Sequence, residues 1–185
     1  TGDRLLLKNV NLTIKKGESV LIMGPSGIGK YYFLMVILIF IYTYSYSAEW
    51  ISEATAKITI LKKIELPGGS IYASFEVNGA GKSNTGKNST ANCVGHRIDK
   101  NNKLEEQKIF CNVYLSDGNE YSFMQIRKET DTDAGVGKSI ILDGTGPYKK
   151  LANKECIYAV NYLRDHAFAT TKCSVSDNIF NSLKN

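Results

Sequence analysis

Gly24-Pro25-Ser26-Gly27-Ile28-Gly29-Lys30 is the first run in this 185-residue chain whose residue types and spacing could do chemistry. Closely spaced glycines let successive backbone N–H groups converge on a phosphate, and the lysine that follows can reach its outer oxygens. The residue after that lysine should be Ser or Thr, whose hydroxyl holds Mg²⁺. Tyr31 stands there instead, with a phenol too long for the position, and Tyr32 follows it. Gly24, Ser26, Gly27, Gly29 and Lys30 therefore read as a vestigial phosphate loop with no metal ligand. ATP is expected as a cofactor only if this front end is the working part of the protein.

Four cysteines are the second chemical signal. In an exported chain they imply two disulfides, with three connectivities open to sequence alone. Hairpin geometry selects among them. If Lys154–Leu163 and His166–Val175 fold about a two-residue turn at Arg164-Asp165, Cys156 stands opposite Cys173. The same construction about Asn102 sets Cys93 opposite Cys111, so the expected bridges are Cys93–Cys111 and Cys156–Cys173. As zinc ligands the four are poorly spaced, and neither His96 nor His166 has a ligand partner nearby.

The remaining candidates have ordinary readings. Gly79-Ala-Gly81-Lys82-Ser83 ends like a second phosphate loop, but its required first glycine would fall at Glu76 inside a strand, so a mobile turn is expected. Asp131, Asp133 and Asp143 do not fit the calcium-loop spacing and read as a solvated turn. His96 with Asp99, and His166 with Asp165, lack a neighbouring nucleophile and read as exposed strand-end groups. Asn11-Leu-Thr13 and Asn88-Ser-Thr90 match the glycosylation acceptor pattern; the first would precede the export signal, and the second matters only on a eukaryotic secretory route. No catalytic residue and no metal site is assigned.

Three segments must position these groups. In residues 1–30 two short strands, around Leu5–Leu7 and Val10–Ile14, precede a turn at Gly17-Glu18 and a buried strand Ser19–Met23 that leads into the glycine loop. This order of strand, turn, strand and loop resembles the start of an ABC-transporter ATP-binding domain. The resemblance implies a further helix, an acidic metal partner and a signature loop, none of which follows. Residues 31–47 contain the apolar run Phe33–Ile41, shorter than the roughly 20 residues of a membrane helix. With Lys30 before it and small residues at Ser45 and Ser47, the run reads as a signal-peptide core cleaved near Ser47/Ala48. Left uncleaved, residues 31–47 would instead anchor the chain in a membrane, with the basic residues before them cytoplasmic. An export signal should open a protein, so its position here implies that two unrelated reading frames were joined near Lys30; sequencing across that junction tests this.

Residues 48–185 alternate like sheets with one wet face. Ile58, Ile60, Ile64 and Leu66 share a parity before a turn at Pro67-Gly68-Gly69, and Ile71, Ala73, Phe75 and Val77 alternate with polar neighbours. Asn78–Asn92 reads as a long flexible loop. Further strands are expected at 92–98, 107–115, 119–127, 138–142, 154–162 and 167–175, and the tail Asp177–Leu183 as a short helix capping a barrel mouth. About eight short strands joined by hairpins favour a closed antiparallel barrel or a sandwich, and closure removes exposed edges. The overall expectation is a mainly β chain: a small antiparallel barrel of about eight strands, preceded by a signal-like apolar segment and a truncated phosphate-loop fragment. Eleven Tyr, 16 Gly and only three Pro agree with it. The net charge of +5 is modest and concentrated in residues 1–30, so no nucleic-acid partner is expected.

Gly144-Thr145-Gly146-Pro147-Tyr148, followed by the strand around Cys156, resembles a turn found late in small barrels of the allene-oxide-cyclase-like and dirigent-like type. Lys150, Asn153 and Glu155 stand where that pattern prefers glycine. The resemblance implies a barrel over residues 55–175, on a fold that carries cyclases, stereochemical guides and non-enzymes alike. The functional expectation is a periplasmic or extracellular β-barrel that binds a small molecule or a protein, without ATPase activity and leaning away from catalysis. The alternatives are an ATP-binding fragment of an ABC transporter and a cyclase or isomerase on the barrel. A membrane would be a partner only through an uncleaved 31–47 segment.

Overall fold

The structure, a computed structural model, describes residues 47–185. The expected phosphate loop and the apolar run Phe33–Ile41 lie outside the described residues.

Eight antiparallel strands, β1 (Ser47–Glu65), β2 (Ile71–Ser83), β3 (Asn88–Lys100), β4 (Lys103–Leu115), β5 (Glu120–Asp131), β6 (Ala134–Gly144), β7 (Glu155–Leu163) and β8 (His166–Ser176), pair in sequence order. β1 returns to β8 from Ser47↔Ser176 to Lys57↔His166, which closes the barrel and decides against the sandwich. A 3₁₀ turn (Gly146–Leu151) separates β6 from β7, and helix α1 (Asp177–Lys184) ends the chain.

Period-two patterning drives this closure. Along β4, Gln107, Ile109, Cys111, Val113 and Leu115 are buried while Phe110, Asn112 and Tyr114 between them are exposed. On β1 the inward residues Ser52, Ala54 and Ala56 are small, and they face a lumen also bordered by Gly79, Gly81, Ala91, Ala167 and Ala169. An eight-stranded barrel is just wide enough for side chains to fill it or for one small ligand. Small residues on this wall leave part of the interior unfilled.

One end of the barrel is plugged. Trp50, Tyr121, Ile141, Tyr148, Leu151, Val175 and Leu183 form a buried cluster there, against which Ile179 and Phe180 pack. Tyr121 and Tyr148 stack at 5.5 Å, and Trp50 meets Tyr121 edge-on at the same distance. Helix α1 is started by Ser176, whose Oγ accepts from the Ile179 amide at 3.4 Å, and it seats Leu183 fully inside the cluster. At the opposite end lie the tight β3–β4 and β7–β8 hairpins. The first turns at Asn101 and Asn102, both with positive φ, and the second at Arg164, φ 57°. Such left-handed residues match the twist of two-residue hairpins.

The structure revises several expectations. Asn78–Asn92 is not a long flexible loop: β2 runs on to Ser83 and β3 starts at Asn88. Its polar residues Asn78, Lys82, Thr90 and Asn92 point to solvent, while Gly79 approaches β1 so closely that a Cβ would lie 2.6 Å from that of Ala56. Gly79–Ser83 is for the same reason strand rather than mobile turn. β1 starts eleven residues before Ile58, and β6 covers 134–144 rather than 138–142. The shared parity of Ile58, Ile60, Ile64 and Leu66 does not make one buried face. The β1–β2 register slips by one between Ile60 and Lys62, and Ile60, Ile64 and Leu66 are all exposed beyond the reach of β8.

Candidate functional site

The barrel lumen holds a cavity of about 140 Å³, the order of the roughly 150 Å³ apolar cavity that takes up one benzene molecule. Its apolar wall includes Ile58, Phe75, Val77, Ile109 and Val160, and the small residues of β1 and β8 face them. Cys93 and Cys111, a directly opposed pair on β3 and β4, form one disulfide on this wall. Cys156 and Cys173 form the second, inside the plugged end. The β7–β8 register runs from Leu163↔His166 to Ile157↔Lys172, which is the arithmetic expected from a turn at Arg164-Asp165.

A polar tier crosses the lumen toward the hairpin end. The inward positions of β5 are Tyr121, Phe123, Gln125 and finally Arg127, which is only 1% exposed. Arg127 Nη2 donates to Gln107 Oε1 at 3.2 Å and to the Tyr162 hydroxyl at 3.5 Å, and Nη1 donates to the Asp131 carbonyl at 3.4 Å. The Tyr162 ring lies 5.3 Å from the guanidinium carbon. Arg127 makes no ion pair among the described residues. Arg97, by contrast, is held by Asp99 at 2.6 Å. All contacts of Arg127 are to neutral groups and are long for a charged donor, whose hydrogen bonds usually run about 2.7–2.9 Å. A buried charge left without its partner costs on the order of 3–5 kcal/mol.

Two glycines make room for this tier. A Cβ on Gly135 would come within 2.6 Å of Arg127 Nη1, and one on Gly137 within 2.6 Å of the Tyr158 ring. Four buried side-chain polar atoms among the described residues lack a hydrogen-bond partner: Trp50 Nε1 and Tyr148 Oη at the plugged end, Arg127 Nε and Tyr158 Oη in the tier. Burial raises the Tyr158 phenol well above its ordinary value, with Tyr162 adding to the effect and Arg127 opposing it. At neutral pH its hydroxyl is therefore a proton-bearing donor. The cavity thus combines an apolar wall with the polar side chains of Gln107, Gln125, Tyr158 and Tyr162, Arg127 being buried beside them and outside its lining, an arrangement suited to holding one small molecule.

The other sequence candidates are not assembled into a site. Among the described residues no group of three or more His, Cys, Asp and Glu gathers as a metal site would. His96 stacks on Tyr72 with ring centroids 5.8 Å apart and does not pair with Asp99. His166 Nδ1 lies 2.9 Å from Asp165 Oδ1 on the exposed β7–β8 turn. Asp143 Oδ1 accepts from the amide of Gly144, and Asp131 and Asp133 flank the β5–β6 turn. The turn that resembles the small-barrel pattern has Gly146 at φ 51° and buries Tyr148. At Asn153, where that pattern prefers glycine, the backbone is left-handed with φ 63°. Asparagine tolerates this conformation better than most residues.

Sequence reasoning passed over Arg127, Gln107, Tyr158 and Tyr162. The available signals were an arginine at an inward parity of β5 and the pair Gly135 and Gly137 two positions apart on β6.

The fold defines the described part as a closed, doubly disulfide-bonded eight-stranded antiparallel β-barrel. The sequence matches no protein-family model, and no solved structure matches it. Over short stretches the chain is similar to curated proteins that include transport-system ATP-binding proteins and a ribosome protection protein. The chain is 56% identical over 36 residues to an intermembrane phospholipid transport system ATP-binding protein of Haemophilus influenzae, 20% of this chain and 14% of that protein. It is 54% identical over 37 residues to the ribosome protection protein VmlR of Bacillus subtilis, 20% of this chain and 7% of that protein. It is 58% identical over 38 residues to an uncharacterized ABC transporter ATP-binding protein of Methanocaldococcus jannaschii, 20% of this chain and 16% of that protein. The chain therefore contains a short ABC-like segment and spans less than a fifth of the length of each of these relatives.

Proposed function

We propose that the barrel is an exported binding protein that takes one small, largely apolar molecule into its lumen, and that it is neither an ATPase nor an enzyme. The observation that carries this reading is the partly empty lumen, kept open by small residues on one wall and crossed by buried polar groups near the hairpin end. Two disulfides support an oxidising compartment, periplasmic or extracellular. Cleavage near Ser47/Ala48 would leave a chain whose first residues pair with the end of β8, since Ala48 stands opposite Val175. Intact-mass measurement of protein from the native host tests export: loss of residues 1–47 together with four hydrogens is expected, and a chain retaining Thr1 with free thiols refutes it.

Lumen binding is tested by calorimetric titration with benzyl alcohol, a neutral molecule of suitable size. Saturable one-to-one binding is expected, and it should vanish in Ala56→Phe, which fills the cavity from β1. Binding that survives this substitution would place the molecule elsewhere.

The short ABC-like matches favour one other reading, in which the front of the chain binds nucleotide as a fragment of a transporter ATPase. Gly24, Ser26, Gly27, Gly29 and Lys30 would then cradle the phosphates without a hydroxyl for Mg²⁺. Calorimetry with Mg-ATP separates the two, because the barrel reading expects no heat of binding. A cyclase or isomerase on the barrel has no such support.

A further inference from the structure

We infer that the lumen takes a neutral molecule carrying a carboxamide or lactam group, whose adjacent donor and acceptor are met by the side-chain amide of Gln125 and the hydroxyl of Ser139. This rests on the lumen being a binding site. What it adds is the polar group the ligand carries, its lack of charge, and the residues that read it.

Gln125 and Ser139 stand opposite each other on β5 and β6, and both line the cavity. Each occupies an inward position, Gln125 at 9% and Ser139 at 1% exposure. The side-chain hydrogen bonds of the tier join Gln107, Arg127 and Tyr162 and pass both of them by. Among the described residues, the fully buried side-chain polar atoms without a partner belong to Trp50, Arg127, Tyr148 and Tyr158. The amide of Gln125, equally without a partner, is therefore not sealed in the wall, and its inward side chain opens it to the cavity. A primary amide offers N–H donors and a carbonyl acceptor together, and a serine hydroxyl can do either. Their complement presents an acceptor and a donor side by side, as a carboxamide or lactam does and an ionised carboxylate, which only accepts, does not.

The remaining polar lining argues against a charged ligand. Arg97 is the one charged side chain among the described lining residues, and its Nε and Nη2 both donate to Asp99 Oδ1, at 3.0 and 2.6 Å. Gln107 and Tyr162 are bonded to each other at 3.3 Å. Ser52, Ser89 and Thr171 contribute only hydroxyls. An ion entering this lumen would leave water without a countercharge, which is costly, whereas a neutral amide exchanges its hydrogen bonds to water for bonds to Gln125 and Ser139. Beside Gln125, on the other neighbouring strand, stands Ile109, with Gly95 and Phe75 next in the same row. A Cβ on Gly95 would lie 3.1 Å from both the Ile109 and Phe75 side chains. This row supplies the apolar surface for the ligand's hydrocarbon part directly alongside the amide.

The experiment is calorimetric titration of the full-length oxidised protein with benzamide, with benzoate, which has nearly the same shape but is charged and lacks the donor, and with benzyl alcohol. Benzamide is expected to bind at least about tenfold more tightly than benzoate, a difference of about 1.4 kcal/mol. Gln125→Leu, which keeps the bulk and removes the amide, should weaken benzamide by about tenfold and leave benzyl alcohol within about threefold. Ser139→Ala, a smaller change, should weaken benzamide in the same direction and carries the test should Gln125→Leu not fold. Benzoate binding as tightly as benzamide, or benzyl alcohol binding where benzamide does not, overturns the amide assignment and leaves the lumen reading standing. Absence of binding by all three overturns both. Benzamide binding that neither substitution weakens overturns the placement at Gln125 and Ser139.

Discussion

Removing the Cys93–Cys111 bridge by substituting both residues with alanine should destabilise the barrel by an amount set mainly by the unfolded chain. The bridge joins residues 18 apart in sequence, and Cys156–Cys173 joins residues 17 apart. Closing a loop of that length removes denatured-state entropy worth about 3 kcal/mol at room temperature. The two loops do not overlap along the chain, so the quadruple alanine variant should lose about 6 kcal/mol. That is a large part of the 5–15 kcal/mol typical of a domain. Trp50 is the chain's single tryptophan and is 1% exposed in the plugged end, so its fluorescence reports barrel unfolding without labelling. With an m-value of about 2 kcal/mol per molar urea, each bridge should move the midpoint by about 1.5 M. Reductant added to the parent protein should reproduce the quadruple variant. A midpoint within about 0.3 M of the parent for both pair variants, at unchanged m, would refute the reasoning, because no loop would then be constrained in the unfolded state.

Gly137→Ala should destabilise by about 1–3 kcal/mol through overpacking, since the new Cβ would lie 2.5 Å from the Ile126 carbonyl oxygen and 2.6 Å from the Tyr158 ring; urea unfolding measures it. Leu183→Ala should cost about 2–5 kcal/mol, because Leu183 is fully buried at the plugged end, and a variant of parental midpoint would show that α1 does not stopper the barrel. Burial raises the phenols of Tyr121, Tyr148 and Tyr158, that of Tyr148 to about 12. Unfolded tyrosines ionise near pH 10, so the stability tied to these protons is full below pH 10 and is lost as pH rises through the folded values. Tyrosinate absorbance should therefore show three of the eleven tyrosines ionising only together with loss of the Trp50 signal; smooth titration of all eleven in the folded protein would contradict their burial.

Much of the barrel was legible in local pattern. The β7–β8 hairpin needs only a two-residue turn at Arg164-Asp165 for Cys156 to meet Cys173, and the cysteines themselves confirm the register. The same logic carried Cys93 to Cys111, although a one-residue slip between Ile98 and Asp99 tightens the expected loop to a turn at Asn101-Asn102. Patterning misled where composition masked geometry. Asn78–Asn92 is polar and glycine-rich and therefore resembles a loop, yet Gly79 and Gly81 lie where β1 comes close while Asn78, Lys82, Thr90 and Asn92 face water. In β1 the shared parity of Ile58, Ile60, Ile64 and Leu66 conceals a bulge, which no periodicity within one strand can reveal.

By itself the sequence determined the β character of residues 48–185, the approximate number of strands, the pairing of all four cysteines and the presence of an ABC-like segment, because each follows from turn chemistry, alternation or contiguous spacing. Only the tertiary structure decided that β1 closes on β8 rather than leaving a sandwich, and that Arg127, Gln107, Tyr158 and Tyr162 share one tier of the lumen. Those residues come from three strands up to 55 positions apart. Their meeting depends on closure and on how far each strand is shifted against the next, quantities that belong to the whole barrel and to no single segment of the chain.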